Sequence, residues 1–591
     1  RIERLRNVME QQKIDCYIIP TDDYHHSEYV GDYFKFREYI TGFTGSAGTA
    51  VFTKDKAGLW TDGRYFIQAE VQLKGSGITL YKSGESDVPT IEEFLKSELK
   101  EGDVLGFDGR TVTYAQGKRY CHIADENGAS LKYSLDFAQN IWKERPEMSM
   151  ESVFSLEDEY TGEKIGSKLE RVREVMKENG CNAHVLSSLD DIAWLLNIRG
   201  NDIAYCPLVL SYAIVYNNSV ELFADIRKFS DDIINLLAEN QVKIYPYEDI
   251  YRKVSEMTSE DKLLLDSAIM NYSLYQAISK ETVIVDKQNP EILMKSVKNE
   301  TQAENLRKAH LKDAVAHTKF MYWLKKNIGR VEITELSASA RLEGLRAEQE
   351  HFLGPSFGPI SAYGEHGAIV HYSADEKSNV PLKEGKLFMT DTGGHYLEGS
   401  TDITRTVALG EVGNIEKEHF TLVARAMLRL ANTVFLYGCS GANLDCIARE
   451  VFWKEGLNFN HGTGHGVGYL LNIHEGPINF RWKEGERPAP ALEENMVITD
   501  EPGIYIEGSH GIRLENELLV RKTVKNEYGQ FMNFEILTYV PIDLDAILPE
   551  KMSTEEKEML NHYHKQVYEK VSPYLSEEER IWLKEYTRAV K

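Results

Sequence analysis

The feature that most limits the folds open to this chain is an internal repeat. IERLRNVMEQQKIDCYIIP, beginning at Ile2, lines up with LERVREVMKENGCNAHVLS, beginning at Leu169. Both copies place apolar residues at helical spacing (Ile2, Leu5 and Met9; Leu169, Val172 and Met176) and then run into a short apolar strand. Each next reaches an aromatic, helix-like segment, EYITGF near Tyr39 and DIAWLLNIRG near Trp194. Strand pairs with a central turn follow, GTAVFTKDKAGLWT in one copy and SYAIVYNNSVELFA in the other. Two tandem copies of one α/β domain, at 1–158 and 159–288, account for this shared order of elements.

A third region, 289–591, opens near Asn289-Pro290 with KNETQAENLRKAHLKDAVAHTKFMYWLKK, which has the apolar period of a long helix. After Pro541 the chain turns helical again. Ser553 with Glu556, and Ser576 with Glu579, satisfy the capping-box pattern. Trp582 and Leu583 give the last helix an apolar face, which docks either on its own domain or on a second copy.

Several domains are expected in 591 residues. A hydrophobic share of 42% and a charged share of 27%, with no low-complexity tract, fit a soluble globular protein. The net charge of −25 argues against nucleic acid and against anionic membranes, both of which call for basic surface. No apolar run is long enough to span a bilayer. The first residues, RIERLRNVMEQQ, read as an amphipathic helix and not as a signal peptide. Cys16, Cys121, Cys181, Cys206, Cys439 and Cys446 show no paired spacing, which fits reduced thiols in a cytoplasm.

The chemistry gathers in the third region. In MTDTGGHYLEGSTDITRT the apolar run Leu387, Phe388, Met389 leads into Asp391, and after a glycine turn Asp402 opens a β-prone run. HGTGHGVG carries His461 and His465 among glycines, and ITDEPGIYI ends an apolar strand on Glu501. In GIRLENELLV, Arg513 and Glu515 share one face while Ile512 and Leu514 take the other. Singly, each has an ordinary explanation: a turn cap, a satisfied polar side chain, or a face turned to water. Together they put four carboxylates and an imidazole at the ends or on the faces of apolar strands. Burying like charges side by side is costly unless a cation joins them. The set is hard and oxygen-rich. It suits Mn²⁺, with Co²⁺, Fe²⁺ or Zn²⁺ as alternatives, and it is wrong for a closed structural zinc site. Two ions sharing bridging carboxylates would explain the number of acids. HExxH, the phosphate loop GxxxxGK[ST], the GxGxxG register and the GxSxG elbow are all absent.

TDTGGHYLEGSTDITRT, HGTGHGVGYLLNIHEGP, DEPGIYIEG and IRLENELLV resemble the metal-binding segments of the pita-bread metallopeptidases. With FTGSAGTAVFT, LWTDGRYFIQA and the tandem pair of N-terminal domains, the closest resemblance is to the long, three-domain form of aminopeptidase P, the Xaa-Pro aminopeptidases. It extends over nearly the whole chain. The fold it implies is two creatinase-N-like α/β domains followed by a pita-bread domain with a helical extension. The activity it implies is release of the N-terminal residue from peptides with proline second, by a hydroxide held at a dinuclear metal centre.

The resemblance also assigns roles. Asp391, Asp402, His465, Glu501 and Glu515 would be the five ligands, with Asp402 and Glu515 bridging. Asp391 would complete one metal, and His465 with Glu501 the other. Glu501 would double as general base, His474 would donate to the tetrahedral intermediate, and His371 would line the pocket near the scissile bond. Tyr372 joins His371 as a candidate wall for the proline ring. His461 would sit beside His465, Arg513 would orient carboxylates at the metal, and Arg64 would reach the peptide from the first domain. The partners implied are Xaa-Pro peptides and a second copy in a homodimer, with no nucleic acid and no membrane. The competing readings are a prolidase cutting Xaa-Pro dipeptides, a metal-less peptide- or histone-binding pseudoenzyme, and a creatinase-like hydrolase. The complete ligand set speaks against the last two.

Overall fold

The repeat in sequence is a repeat in topology. Helix α1 (Ile2–Gln12) buries Leu5 and Met9, and helix α2 (Ile165–Glu178) buries Leu169, Val172 and Met176 at the matching positions. Each helix ends in a left-handed residue, Lys13 at φ 57° and Gly180 at φ 67°, which turns the chain into the first strand of its sheet. The computed structural model describes residues 1–591 except 484 and 486 and divides into two compact units.

The first unit spans residues 1–157 and 163–292 and holds two six-stranded sheets. Strands β1 (Cys16–Pro20), β2 (Thr49–Thr53), β3 (Ala57–Thr61), β4 (Thr79–Lys82), β5 (Val104–Phe107) and β6 (Ser130–Lys132) lie in the order β4-β3-β2-β1-β5-β6. Strands β7 (Ala183–Leu186), β8 (Tyr212–Tyr216), β9 (Val220–Phe223), β10 (Val242–Tyr245), β11 (Lys262–Leu265) and β12 (Val283–Asp286) take the same order, β10-β9-β8-β7-β11-β12. In both sheets the first strand pairs antiparallel with the second and parallel with the fifth. The central strands are buried along nearly their whole length, as expected where helices cover both faces. The aromatic segments near Tyr39 and Trp194 are both short helices.

The second unit spans residues 158–162 and 293–591. Its long helix α3 (Glu300–Asn327) starts at a capping box between Asn299 and Gln302. The face it turns inward is not purely apolar. Beside Leu306, Ala309, Phe320 and Leu324 it buries His310, Asp313 and His317 completely.

Helix α4 (Glu335–Ala347) leads to an antiparallel sheet in the order β13 (Ile360–Tyr363), β14 (Lys386–Thr392), β15 (Ile403–Leu409). Helices α5 (Asn414–Ala431) and α6 (Gly441–Trp453) follow β15. Further strands are β16 (Phe435–Leu436), β17 (Gly464–Gly466), β18 (Glu475–Phe480), β19 (Val497–Asp500), β20 (Gly503–Ile506), β21 (His510–Arg513), β22 (Asn516–Asn526) and β23 (Gly529–Ile536), beside a small sheet of Phe352–Pro355, Gly394–Tyr396 and Gly399–Ser400. Six of them form a sheet in the order β16-β23-β22-β19-β17-β18, and β20 and β21 make a separate hairpin.

Both C-terminal capping boxes form, at the starts of helices α7 (Thr554–Val571) and α8 (Glu577–Tyr586). Leu560, Tyr563, Val567 and Leu583 belong to the same core as β14, β15 and α5. Trp582 stacks on Tyr586 with centroids 4.4 Å apart and meets Tyr322 of α3 edge-on. The last helix therefore docks on its own domain. All six cysteines are free.

Candidate metal centre

Strand register brings the two aspartates together. Asp391 of β14 pairs with Thr404 of β15, so Asp402, two residues before Thr404, lies diagonally across on the same face. Glu515 follows β21, its N–H donating to the Thr404 carbonyl, and the Thr404 hydroxyl donates to Glu515 Oε2 at 2.7 Å. Arg405 then pins the segment from behind. Its buried guanidinium donates to the carbonyls of Glu515 and Val540 and to the hydroxyl of Tyr563 in α7.

His465 arrives on β17, pressed between β18 and β19. A Cβ at Gly464 would come within 1.9 Å of the Thr499 carbonyl, so this strand can approach only as glycine. The Thr499 hydroxyl accepts from the His465 N–H at 3.0 Å and donates to Glu501 Oε1 at 3.3 Å, tying the imidazole strand to the carboxylate that directly follows β19. A second close approach is at Gly511, where a Cβ would lie 1.6 Å from the Gly367 carbonyl. It holds the segment leading to His371 against β21.

Potential ligand atoms fall into three overlapping groups, each within 4.8 Å: Asp391, Asp402 and Glu515; His465, Glu501 and Glu515; and Asp402, His465 and His474. His465 Nε2 lies 3.5 Å from Asp402 Oδ2 and 3.6 Å from Glu501 Oε1. Asp391 Oδ1 is buried without a hydrogen-bond partner among the described residues. Burial, and after it the carboxylates of Asp391 and Glu501, push the Asp402 carboxyl well above the usual range. Burial and then Asp402 do the same to Glu515. Glu501 is also raised, again by burial first. Cationic partners resolve this crowding, and the donor set of four carboxylates and one imidazole fits divalent ions of the Mn²⁺ type.

Arg513 spans the back of the cluster. Its Nε and Nη2 both donate to Asp391 Oδ2, the former at 3.1 Å, and Nη1 donates to the Tyr505 hydroxyl at 2.7 Å. That hydroxyl in turn donates to His461 Nε2 at 2.8 Å, while His461 Nδ1 donates to the Gly462 carbonyl. His461 keeps some accessible surface, yet the atoms closing around it, and Arg513 after them, hold its pKa down to about 3. It is the neutral end of a chain running His461–Tyr505–Arg513–Asp391.

Of the other expected residues, His474 joins the cluster, while Tyr372 and Arg64 do not. The His474 ring lies 4.2 Å from that of His465, edge-on at 69°. His371 follows Val370, whose carbonyl accepts from Arg513 Nη2 at 3.4 Å. Tyr372 is only 6% exposed, with its hydroxyl committed to Glu335, and it packs in a small cluster with Ile360 and Met389. Arg64 lies in the first unit and pairs with Asp62 through two bonds of 2.8 Å. Sequence reasoning missed Tyr505, although it stands on the strand that leaves Glu501. It also missed Glu517, which alternation puts on the same face as Arg513 and Glu515.

Fold and site together are those of a pita-bread metallopeptidase. Residues 1–132 and 144–302 each match a family described as Creatinase/Prolidase N-terminal domain. Residues 304–522 match Metallopeptidase family M24, and residues 530–590 match the C-terminal region of peptidase M24. Xaa-Pro aminopeptidase 1 of Dictyostelium discoideum is 36% identical over 589 residues, covering 97% of this chain and 93% of that protein. Aminopeptidase P1 of Arabidopsis thaliana is 34% identical, covering 100% of this chain and 99% of that protein. The X-prolyl aminopeptidase of Caenorhabditis elegans, described as a cytosolic enzyme with a di-nuclear active site, matches with a TM-score of 0.94 at 33% identity, covering 100% of this chain and 99% of that one. The Xaa-Pro dipeptidase of Bacillus anthracis covers only 64% of this chain, at a TM-score of 0.52 and 24% identity, and shares the fold alone. The chain belongs to the Xaa-Pro aminopeptidases, in their long, three-domain form.

Proposed function

We propose that Asp391, Asp402, His465, Glu501 and Glu515 hold two divalent metal ions, and that this centre releases the first residue of peptides whose second residue is proline. The observation that carries the reading is the convergence of four carboxylates and an imidazole in overlapping groups that share Asp402, His465 and Glu515, of which the two carboxylates each have two oxygens to offer as bridges. Asp391 serves one ion, and His465 with Glu501 serves the other. Mn²⁺ is the metal that the hard donor set favours. When bound, such ions supply Lewis acidity and bring the pKa of water towards neutrality.

The chain's own groups do the rest. Glu501, held directly after β19 beside His465, accepts the proton of the attacking water. A ring N–H of His474 donates to the oxyanion that forms on the first residue's carbonyl. Arg513, fixed by Tyr505, keeps Asp391 in one orientation. Proline has no N–H and a fixed φ, so the ring must be recognised by shape, and His371 borders the position where it would lie. His461 acts through Tyr505.

The protein works in the cytoplasm as a homodimer. Two neighbouring exposed tryptophans, Trp453 at 42% and Trp482 at 46%, with rings 5.8 Å apart, offer the aromatic surface such a contact covers.

The test is cleavage by the Mn²⁺-loaded chain of an Xaa-Pro-Xaa tripeptide, an Xaa-Pro dipeptide and an Xaa-Ala-Xaa control, with products read by mass. Release of the first residue from the proline tripeptide alone is expected. Cleavage of the dipeptide alone would make the enzyme a prolidase, and an uncut tripeptide would overturn the proposal.

A further inference from the structure

Helix α3 buries three ionisable side chains on one face, His310, Asp313 and His317, at the i, i+3, i+7 spacing usually given to leucines. Burying such groups costs free energy unless they are paired, so their partners matter. Asp313 takes the Arg346 guanidinium of α4 through Nε and Nη2, the Tyr396 hydroxyl at 3.2 Å and the Thr401 hydroxyl at 2.8 Å. Arg346 Nη2 also donates to the Thr392 carbonyl at 3.2 Å. His310 Nε2 lies 3.1 Å from Glu517 Oε2, close enough for an ion pair but misaligned for a directed hydrogen bond. The other oxygen, Glu517 Oε1, accepts the backbone N–H of Asp402 at 2.6 Å.

These bonds converge on one stretch of chain. Thr392 follows Asp391 and Thr401 precedes Asp402, so Arg346 and Asp313 grip the connection between the two aspartates at both ends. Glu517 grips Asp402 itself. Glu517 is fully buried and two residues beyond Glu515, yet it joins none of the ligand groups, and neither does Asp313.

We propose that Glu517 and Asp313 are positioning residues that set the backbone of Asp402 so that its carboxylate can serve two metal ions at once. A bridging carboxylate has little positional freedom, because both oxygens must reach defined places. A bond from a backbone N–H to an ionised carboxylate is among the stronger constraints available to a loop. Helix α3 thereby acts as the outer wall of the centre without donating a ligand. This inference rests on the metal-site assignment made above.

The experiment uses the full chain with Glu517→Gln and, separately, Thr401→Val. The first removes the charge at Glu517, and the second removes the hydroxyl that Asp313 holds while keeping the side-chain volume. After treatment with chelator, each protein is titrated with Co²⁺ and Mn²⁺, its Co²⁺ visible spectrum is recorded, and its melting temperature is measured in chelator. The kcat and KM on a proline tripeptide are taken at saturating metal.

Both variants are expected to bind metal about 10- to 100-fold more weakly. They should show an altered Co²⁺ spectrum and a lower kcat with little change in KM; in chelator Glu517→Gln, which keeps an oxygen to accept the Asp402 N–H, should melt with the parent, while Thr401→Val, which deprives the Gly394 N–H and Asp313 of that hydroxyl, should melt lower. Parental affinity and spectrum in both variants would overturn the inference while leaving the metal assignment intact. Loss of affinity in Glu517→Gln together with a lowered melting temperature of that variant in chelator would also overturn it, because the bond would then be merely structural. A parent chain that binds neither ion would overturn this inference and the metal assignment together.

Discussion

Replacing Tyr505 with Phe removes one oxygen and keeps the ring, so packing is preserved and the chain from His461 to Asp391 is cut at a single atom. Two hydrogen bonds disappear, one from Arg513 Nη1 at 2.7 Å and one to His461 Nε2 at 2.8 Å. A bond involving a charged group is worth about 1.5–3 kcal/mol. Tyr505 is only partly buried, so water can replace some of the loss, and about 1.5–2 kcal/mol is the fitting part of that range. Arg513 keeps both of its bonds to Asp391 Oδ2 but loses the brace that fixes the guanidinium plane. Expressed fully in catalysis, this is about a 10- to 30-fold fall in kcat/KM. Stopped assays on an Xaa-Pro-Xaa tripeptide across a range of Mn²⁺ concentrations measure it. The loss should be shared between weaker metal binding and lower kcat, with KM nearly unchanged. A variant within twofold of the parent at every metal concentration would refute the claim that the hydroxyl braces Arg513. A loss beyond about a thousandfold would refute it in the other direction, by placing the hydroxyl at the reacting atoms.

Asp402→Asn should abolish stoichiometric metal binding and activity together, as read by metal analysis and the tripeptide assay; full activity would remove Asp402 from the ligand set. Gly464→Ala drives a methyl to within 1.9 Å of the Thr499 carbonyl, so β17 must shift and His465 with it. Activity should be lost, and a fully active variant would show that the three strands are not so tightly stacked. Burial, with charged neighbours, holds the folded pKa of His317 and His564 at about 3 and that of His25 at about 4. These values lie below the unfolded value of about 6.5, so the unfolded chain takes up protons first. Stability is then complete above about pH 6.5 and falls as the pH drops towards 4, by up to about 1.4 kcal/mol per pH unit for each histidine. Melting temperatures between pH 7.5 and 5 check this, and a flat profile would contradict it.

Much of the molecule is legible in its residues alone. The matched apolar spacing of Leu5 and Met9 with Val172 and Met176 announces two copies of one domain, because a helix packed on a sheet needs the same stripe wherever it recurs. The residue types at positions 391, 402, 465, 501 and 515 announce metal chemistry, since few other settings tolerate so many acids on apolar strands. Other features were decided only in three dimensions. The sequence shows α3 only as a long helix with an apolar period, and that His310, Asp313 and His317 share its buried face is decided by the groups packed around them. Glu517 continues an alternation that the chain displays openly, but only the pairing of β22 with β19, and the approach of Asp402 to it, distinguish a buried anchor from a carboxylate in water. The diagonal placement of Asp391 and Asp402 depends on the register of β14 against β15, and a shift of one residue would turn one aspartate away. Composition and local period determine which groups a chain can offer. Long-range register and close backbone approach determine which of them meet, because those distances come from the packing of segments far apart in sequence.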